Sequence, residues 1–137
     1  MWTYNILAHS LAKDGIIVDS DCYSGAWPEG FNDPAKTASI GVGPIPEGLY
    51  SICGPPYSDS EHGPYILRLE PDSTNEMFSR VGFLLHGKPL PPRDIRSGSE
   101  GCICAGPDTR RRVYQSGDNR LQVISGVVIA IDPEISI

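Results

Sequence analysis

The sequence VGFLLHG at residues 81–87 and the sequence SGSEGCI at residues 97–103 decide which fold and chemistry this chain can have. The first is an apolar run between glycines, which predicts a buried strand that ends at His86. The second leads into Cys102 and Ile103, where another strand-like run begins. If the two strands are neighbours, an imidazole and a thiol lie at the same edge of one sheet.

His86 and Cys102 together predict a nucleophilic thiol. A thiol attacks a carbonyl as the thiolate, so it needs a base within hydrogen-bond reach and backbone N–H groups that receive the oxyanion. His86 is the candidate base, and the amides of Gly101 and Cys102 are the candidate oxyanion donors, because glycine allows a substrate carbonyl to approach closely. Taken by themselves, a single histidine and a single cysteine are more often ordinary core or surface residues.

The remaining sequence predicts a single domain over residues 1–137 that is mainly β, a β-sandwich or distorted barrel with one or two short helices. Apolar residues alternate over residues 2–7, and Asp14-Gly15 predicts a tight turn to a second strand. Ser73 and Glu76 have the spacing of a capping box. Asp108 is expected to cap a short helix that stops near residue 117, and strands are expected over residues 121–131.

Composition excludes several classes of protein. The 15 glycines and 13 prolines exclude a helix bundle, and the net charge of −6 argues against a nucleic-acid partner. No apolar run is long enough to span a bilayer, and the first residues lack a secretory signal, so we expect synthesis in the cytoplasm and no membrane partner. His9 and His62 lack partners at metal-ligand spacing, so neither metal nor cofactor is predicted. Cys22 and Cys53 could pair or stay reduced.

Several motifs in order resemble the L,D-transpeptidase-related domain of type VI secretion effectors. They are the aromatic residues 2 and 4 and the segments YSG at 23–25, GPIPEGLYSI at 43–52, RVGFLLHG at 80–87 and SEGCI at 99–103. The resemblance covers nearly the whole chain and implies the β fold of the L,D-transpeptidase catalytic type. It also implies an L,D-carboxypeptidase that removes the terminal D-Ala from peptidoglycan tetrapeptide stems, or exchanges it for another D-amino acid.

The resemblance assigns a role to each motif residue. Cys102 would form a thioester, and His86 would take the thiol proton and later protonate the leaving amine. Ser99 would hydrogen-bond the histidine or the substrate. Gly101 would help to bind the oxyanion, and the carbonyl of Gly87 would fix the imidazole tautomer.

The chain departs from the larger L,D-transpeptidase class at Cys104, where that class usually has an arginine that binds the substrate carboxylate. Cys104 itself is expected to pack as a small hydrophobe. Arg110, Arg111 or Arg112 could supply the missing guanidinium, because it matches a carboxylate bidentately. A solvated basic face is an equal alternative for each of these arginines.

Two further residues are candidates for the cleft. Asp94 could orient the histidine, although capping a loop turn is its more frequent role. Tyr23 could line the cleft or simply cover the core.

The biological role implied is a toxin that a secretion apparatus carries into the periplasm of a target bacterium, with a periplasmic immunity protein that plugs the cleft. A phage protein that reaches the wall by lysis or injection also fits. Two other functions stay open: a non-catalytic peptidoglycan-binding module, and a cysteine peptidase that acts on protein substrates. His86 and Cys102 favour an enzyme, because binding alone needs neither.

Overall fold

The computed structural model describes residues 1–89 and 98–126 of the 137-residue chain. In these two ranges the fold is mainly β, as predicted, with one α-helix and one 3-10 turn. The elements are β1 (Trp2–Asn5), β2 (Ser10–Lys13), β3 (Ile16–Asp19), β4 (Tyr23–Ala26), the 3-10 turn (Pro34–Lys36), β5 (Gly48–Asp59), β6 (Gly63–Pro71), β7 (Leu84–His86), β8 (Gly98–Cys104), α1 (Pro107–Gln115) and β9 (Arg120–Ile124).

The nine strands of the described residues are joined by hydrogen bonds in one open sheet. Their order is β3-β2-β1-β9-β5-β6-β7-β8-β4, so that β3 and β4 form the edges. Most neighbours are antiparallel, but β1 pairs with β9 and β7 pairs with β8 in parallel. The β7–β8 pair matters most, because the carboxyl ends of two parallel strands meet at the same edge of a sheet.

The first twenty residues form three antiparallel strands. The predicted turn lies between β2 and β3, where Asp14 and Gly15 both have positive φ, 48° and 84°. Two positive φ angles in a two-residue turn match the twist of the flanking strands, and Asp-Gly adopts them readily. β2 lies between the two strands expected from the sequence.

Three local expectations are corrected or lie outside the described residues. The segment after β6 forms turns instead of a helix, because the carboxylate of Asp72 accepts the backbone N–H of Thr74 at 3.0 Å. Helix α1 begins after Gly106 without a side-chain cap, and Asp108 lies within its first turn. In the described residues the last strand, β9, ends at Ile124, and residues 127–131 of the predicted strand region lie outside them.

The main apolar cluster of the core takes its residues largely from β1, β2, the strands β5 to β9 and α1. Successive residues of a strand point to opposite faces. In the β7–β8 pair, Leu85 lies opposite Ile103 and both belong to the main apolar cluster. His86 lies opposite Cys104, so these two side chains share the other face of the pair. The alternation therefore anchors the strand pair in the core and presents histidine and cysteine together.

Candidate active site

A cleft of about 1250 Å³ crosses the carboxyl end of β7 and the middle of β8. Its polar lining includes His62 from the β5–β6 turn, His86, Cys102 and Arg110. Ile40 and Val81 are among its apolar lining residues, and both are largely exposed. A concave surface with apolar walls and a few converging polar groups is the usual form of a ligand site.

Cys102 is a half-buried thiol in this cleft. Burial raises its pKa to about 11, against the opposing effects of the Leu84 backbone N–H and the charge of Arg80. The carboxylates of Glu100 and Glu61 raise the pKa further. Near neutral pH, Cys102 is therefore protonated and needs a base before it can attack a carbonyl.

His86 has the protonation state that such a base requires. Burial lowers its pKa below the ordinary value of 6.5, so that the imidazole is neutral near pH 7. Its Nδ1 lies 2.8 Å from the carbonyl oxygen of Gly87, which can only accept, so Nδ1 carries the proton. The Gly87 carbonyl thus lies where the sequence analysis placed it, and the lone pair belongs to Nε2.

The ring of His86 contacts Cys104 rather than Cys102. The Sγ of Cys104 lies 3.8 Å from each ring nitrogen, and among the hydrogen bonds of the described residues His86 has none to Cys102. A sulfur equidistant from both nitrogens lies against the ring and is not aligned with the Nε2 lone pair. The expectation that Cys102 begins its strand is wrong: β8 begins at Gly98, so the strand end beside His86 is Cys104.

Cys104 is fully buried, whereas Cys102 reaches the cleft from two residues earlier on the same strand face. Burial raises the pKa of Cys104 to about 12. A substrate in the cleft therefore meets the Cys102 sulfur first, and Cys104 packs behind it.

Ser99 shapes the turn before Cys102. Its hydroxyl donates to the carbonyl of Cys102 at 2.7 Å and accepts the backbone N–H groups of Gly101 at 3.2 Å and Gly25 at 3.1 Å. Among the hydrogen bonds of the described residues Ser99 has none to His86, whereas its alternative role toward the substrate stays a prediction, because Ser99 lines the cleft. The amide of Gly101 is already engaged and is not free for an oxyanion, contrary to expectation.

Gly101 could not be another residue in this structure. Its φ is +129°, and a Cβ there would lie 2.5 Å from Nη2 of Arg80 and 2.9 Å from Cε1 of Phe83. Arg80 is 4% exposed and donates to four backbone carbonyls, those of Thr37, Gly43, Pro44 and Glu100. Sequence analysis missed this arginine, although it opens the motif at residues 80–87.

Of the three candidate arginines on α1, Arg110 lines the cleft. It is buried, and its Nε and Nη1 donate to the carbonyls of Ala105, Pro64 and Tyr65. Arg111 is instead at the surface, where it lies over the Tyr65 ring and pairs with Asp108 at 3.4 Å. Arg112 is exposed and does not line the cleft.

Of the other two candidates, only Tyr23 belongs to the described residues, and it does not line the cleft. Tyr23 is 2% exposed and stacks on Phe31 with ring centroids 4.9 Å apart, so it covers the core. Burial strongly raises the pKa of its hydroxyl. Asp94 lies outside the described residues.

A second histidine, which the sequence analysis gave no role, lies beside His86. The ring of His62 is 4.8 Å from that of His86, centroid to centroid. Its Nδ1 lies 3.0 and 3.2 Å from the two carboxylate oxygens of Asp59. No spacing signal in the sequence indicates this contact, because His62 comes from a turn between β5 and β6.

In residues 1–89 and 98–126, no cluster of three or more His, Cys, Asp or Glu side chains is arranged to bind a metal ion. The four cysteines are free thiols, which include Cys22 and Cys53. The helix in that part of the chain is neither long nor apolar enough to cross a membrane.

Solved structures with the same architecture are L,D-transpeptidases. No protein-family model and no curated protein matches the chain. An L,D-transpeptidase from Stackebrandtia nassauensis is 16% identical, with a TM-score of 0.53, and the match covers 90% of this chain and 54% of that protein. The Ldtfm-avibactam carbamoyl enzyme is 15% identical, with a TM-score of 0.50 and coverage of 92% and 49%. The chain thus spans about half the length of these proteins, and its fold is L,D-transpeptidase-like.

Proposed function

We propose that this protein is a cysteine acyl-transfer enzyme that acts on peptidoglycan stem peptides. The observation that carries the proposal is the presence of a cleft-lining thiol, Cys102, and a neutral imidazole, His86, in one cleft of an L,D-transpeptidase-like fold. The proposed reaction is removal of the terminal D-Ala from a tetrapeptide stem, or its exchange for another D-amino acid.

The chemistry begins with transfer of the Cys102 thiol proton to Nε2 of His86. The sulfur attacks the carbonyl before the terminal D-Ala, and the C–N bond breaks as the amine nitrogen receives a proton. Water or the amine of a second D-amino acid then attacks the thioester. Catalytic hydrogen bonds are often long without substrate, so the present separation of Cys102 from His86 is compatible with this role.

The size of the cleft supports a peptide substrate. At about 1250 Å³ it exceeds the roughly 300–1,000 Å³ of common small-ligand pockets. Arg80 and Arg110 both line the cleft. We propose Arg110 as the arginine that binds the substrate carboxylate, through Nη2, because its Nε and Nη1 already bond to backbone carbonyls.

We further propose an antibacterial role for this activity, in the periplasm of a target bacterium, where the stem peptides of the sacculus are exposed. Delivery by a secretion apparatus would bring the protein to its substrate, and delivery by a phage would do the same. The producer would then need a periplasmic immunity protein that occludes the cleft around Cys102. The chemistry can be tested separately from this biology.

The test is incubation of the protein with disaccharide-tetrapeptide, with and without D-Met, followed by mass spectrometry. We expect loss of one D-Ala, or its replacement by D-Met, and an acyl adduct on Cys102. Cys102→Ala should abolish both products. Cys53→Ala is the matched control, because Cys53 does not line the cleft.

Three results would contradict the proposal. If the muropeptide binds but stays unchanged, the cleft is a recognition site. If casein is cleaved and the muropeptide is not, the protein is a peptidase that acts on proteins. If Cys104→Ala abolishes the adduct and Cys102→Ala does not, the nucleophile is the sulfur that His86 contacts.

A further inference from the structure

The turn between β5 and β6 places a second imidazole in the cleft. β5 ends at Asp59 and β6 begins at Gly63, and the intervening residues Ser60, Glu61 and His62 all line the cleft. His62 is held there by two contacts with Asp59, since both its backbone N–H and its Nδ1 bond to that carboxylate. The side chain is therefore fixed by its own turn and does not depend on the histidine that it faces.

The Asp59–His62 pair has the arrangement of an oriented base. The carboxylate accepts from Nδ1, which leaves Nε2 to exchange a proton with another group. The hydrogen bond from the His62 ring is the largest cause that lowers the pKa of Asp59, so the carboxylate is ionised near neutral pH. An ionised aspartate on one ring nitrogen can compensate a positive charge on the ring.

The groups that face His62 come from three elements. Asp59 and Glu61 belong to its own hairpin, with the carboxylate of Glu61 3.9 Å from Nε2. From β7 comes the neutral imidazole of His86, and from α1 comes Arg110, whose charge acts on His86. The two imidazoles thus have different partners: a carboxylate orients His62, whereas a neutral carbonyl orients His86.

We propose that His62 is a second catalytic residue, which exchanges protons with the leaving amine and with the incoming nucleophile while His86 serves the sulfur. The inference rests on the proposed acyl-transfer function. In acylation, the Cys102 thiol gives its proton to His86, and protonated His62 gives its Nε2 proton to the nitrogen as the C–N bond breaks. In deacylation, water or an amine gives a proton to His62 as it attacks the thioester, and His86 returns its proton to the departing sulfur.

This cycle balances without any other reagent. After acylation His86 is protonated and His62 is neutral, and after deacylation both have returned to their starting forms. A single histidine would have to take the proton from the sulfur and then deliver it to the leaving nitrogen from the same position. Two imidazoles with ring centroids 4.8 Å apart, each with Nδ1 held by its own partner, can divide these two proton transfers between them.

Two acyl donors separate the two histidine roles. The stem tetrapeptide has an amine leaving group that must be protonated. A p-nitrophenyl ester of N-acetyl-L-alanine has an acyl carbonyl on an L-centre, as in the proposed reaction, and a leaving group that departs as an anion, so its burst reports acylation of Cys102 without need of an acid. The variants are His62→Gln and Asp59→Asn. The matched control is His9→Gln, since His9 is exposed and does not line the cleft.

We expect His62→Gln to keep the ester burst rate and the rate of Cys102 alkylation by iodoacetamide. Its steady-state ester hydrolysis and its turnover of the stem peptide should fall by about 10²–10⁴-fold, the usual contribution of a general acid–base. Asp59→Asn should show the same losses to a smaller degree.

Stem turnover by His62→Gln within about threefold of the wild type, far below a general acid–base contribution, would overturn the proposal. It would also be overturned if burst, alkylation and stem turnover fell by one common factor, because His62 would then act only by supporting His86. If the wild type shows the ester burst but leaves the stem peptide unchanged, the proposed substrate is wrong, and the ester deacylation rates still test the role of His62. If the wild type shows no burst, both the proposed acyl-transfer function and the role of His62 are overturned.

Discussion

Arg80→Met should be among the most destabilising single substitutions at this site. The guanidinium is 4% exposed and donates to the carbonyls of Thr37 at 2.6 Å, Pro44 at 2.7 Å, Gly43 at 2.9 Å and Glu100 at 3.0 Å. A hydrogen bond to a charged donor contributes about 1.5–3 kcal/mol. The four are not additive, because the loop can relax and its carbonyls can regain water. We therefore expect a loss of about 3–5 kcal/mol in the free energy of unfolding, which is below the sum of the four bonds and is typical of breaking a buried hydrogen-bond network.

Urea unfolding followed by tryptophan fluorescence measures this loss, since Trp2 is buried in the native state. With a slope of about 2 kcal/mol/M, the midpoint should fall by about 1.5–2.5 M. Arg68→Met is the matched control, because Arg68 is exposed on β6 and should change stability by less than about 0.5 kcal/mol. A change this small in Arg80→Met would refute the reasoning.

A second measurement on the same variant concerns the thiol. The positive charge of Arg80 lowers the pKa of Cys102, although burial outweighs it. Arg80→Met should therefore raise that pKa further and slow alkylation of Cys102 at pH 8. Arg80→Lys keeps the charge but loses the planar fork, so it should restore the alkylation rate more fully than the stability. Equal alkylation rates in Arg80→Met and wild type would show that the charge does not reach the sulfur.

Three further predictions follow from the site. Ser99→Ala removes three hydrogen bonds of the nucleophile turn and should lower the free energy of unfolding by about 1–3 kcal/mol in urea; an unchanged midpoint would contradict this. Iodoacetamide should label Cys102 well before Cys104 in peptide mapping, because Cys104 is fully buried; equal rates would contradict the burial. Burial lowers the pKa of His86, so just below pH 6.5 this residue binds more protons in the unfolded chain than in the folded chain. Its contribution to the free energy of unfolding should therefore be complete above pH 6.5 and should decrease as the pH falls below that value. The difference between wild type and His86→Gln in urea at pH 7.5 and 5.5 tests that sign.

The structural features that could be predicted from the sequence are those that depend on short stretches of neighbouring residues. The apolar run at residues 83–85 became β7 in the core, and the Asp14-Gly15 turn formed with the expected positive φ angles. The mainly β fold also followed, because many short strands between glycines and prolines leave few other architectures. The histidine at the end of its strand, and its bond to the next carbonyl, are local features of the same kind.

The sequence could not predict features that depend on strand register. A shift of two residues between β7 and β8 leaves the hydrophobic pattern unchanged, because side chains repeat with a period of two. Cys102 and Cys104 are therefore equivalent to a pattern analysis, and only the parallel pairing of His86 with Cys104 distinguishes them. The bonds of Ser99 within its own turn could not be predicted for a related reason, because only the three-dimensional path of the chain shows which backbone groups its hydroxyl reaches.

Residues brought in from remote elements were the hardest to predict, and they complete the site. Arg80 ties the segment at residues 37–44 to the carbonyl of Glu100, so it fixes the turn that presents the nucleophile. His62 arrives from a hairpin turn and meets His86 across the cleft. Arg80 and His62 each contact chain segments that are remote in the sequence, so no local sequence motif indicates their roles. The parallel β7–β8 pair explains why these residues meet at the cleft. The carboxyl ends of its two strands lie at the same edge of the sheet, and the β5–β6 turn and α1 also reach that edge.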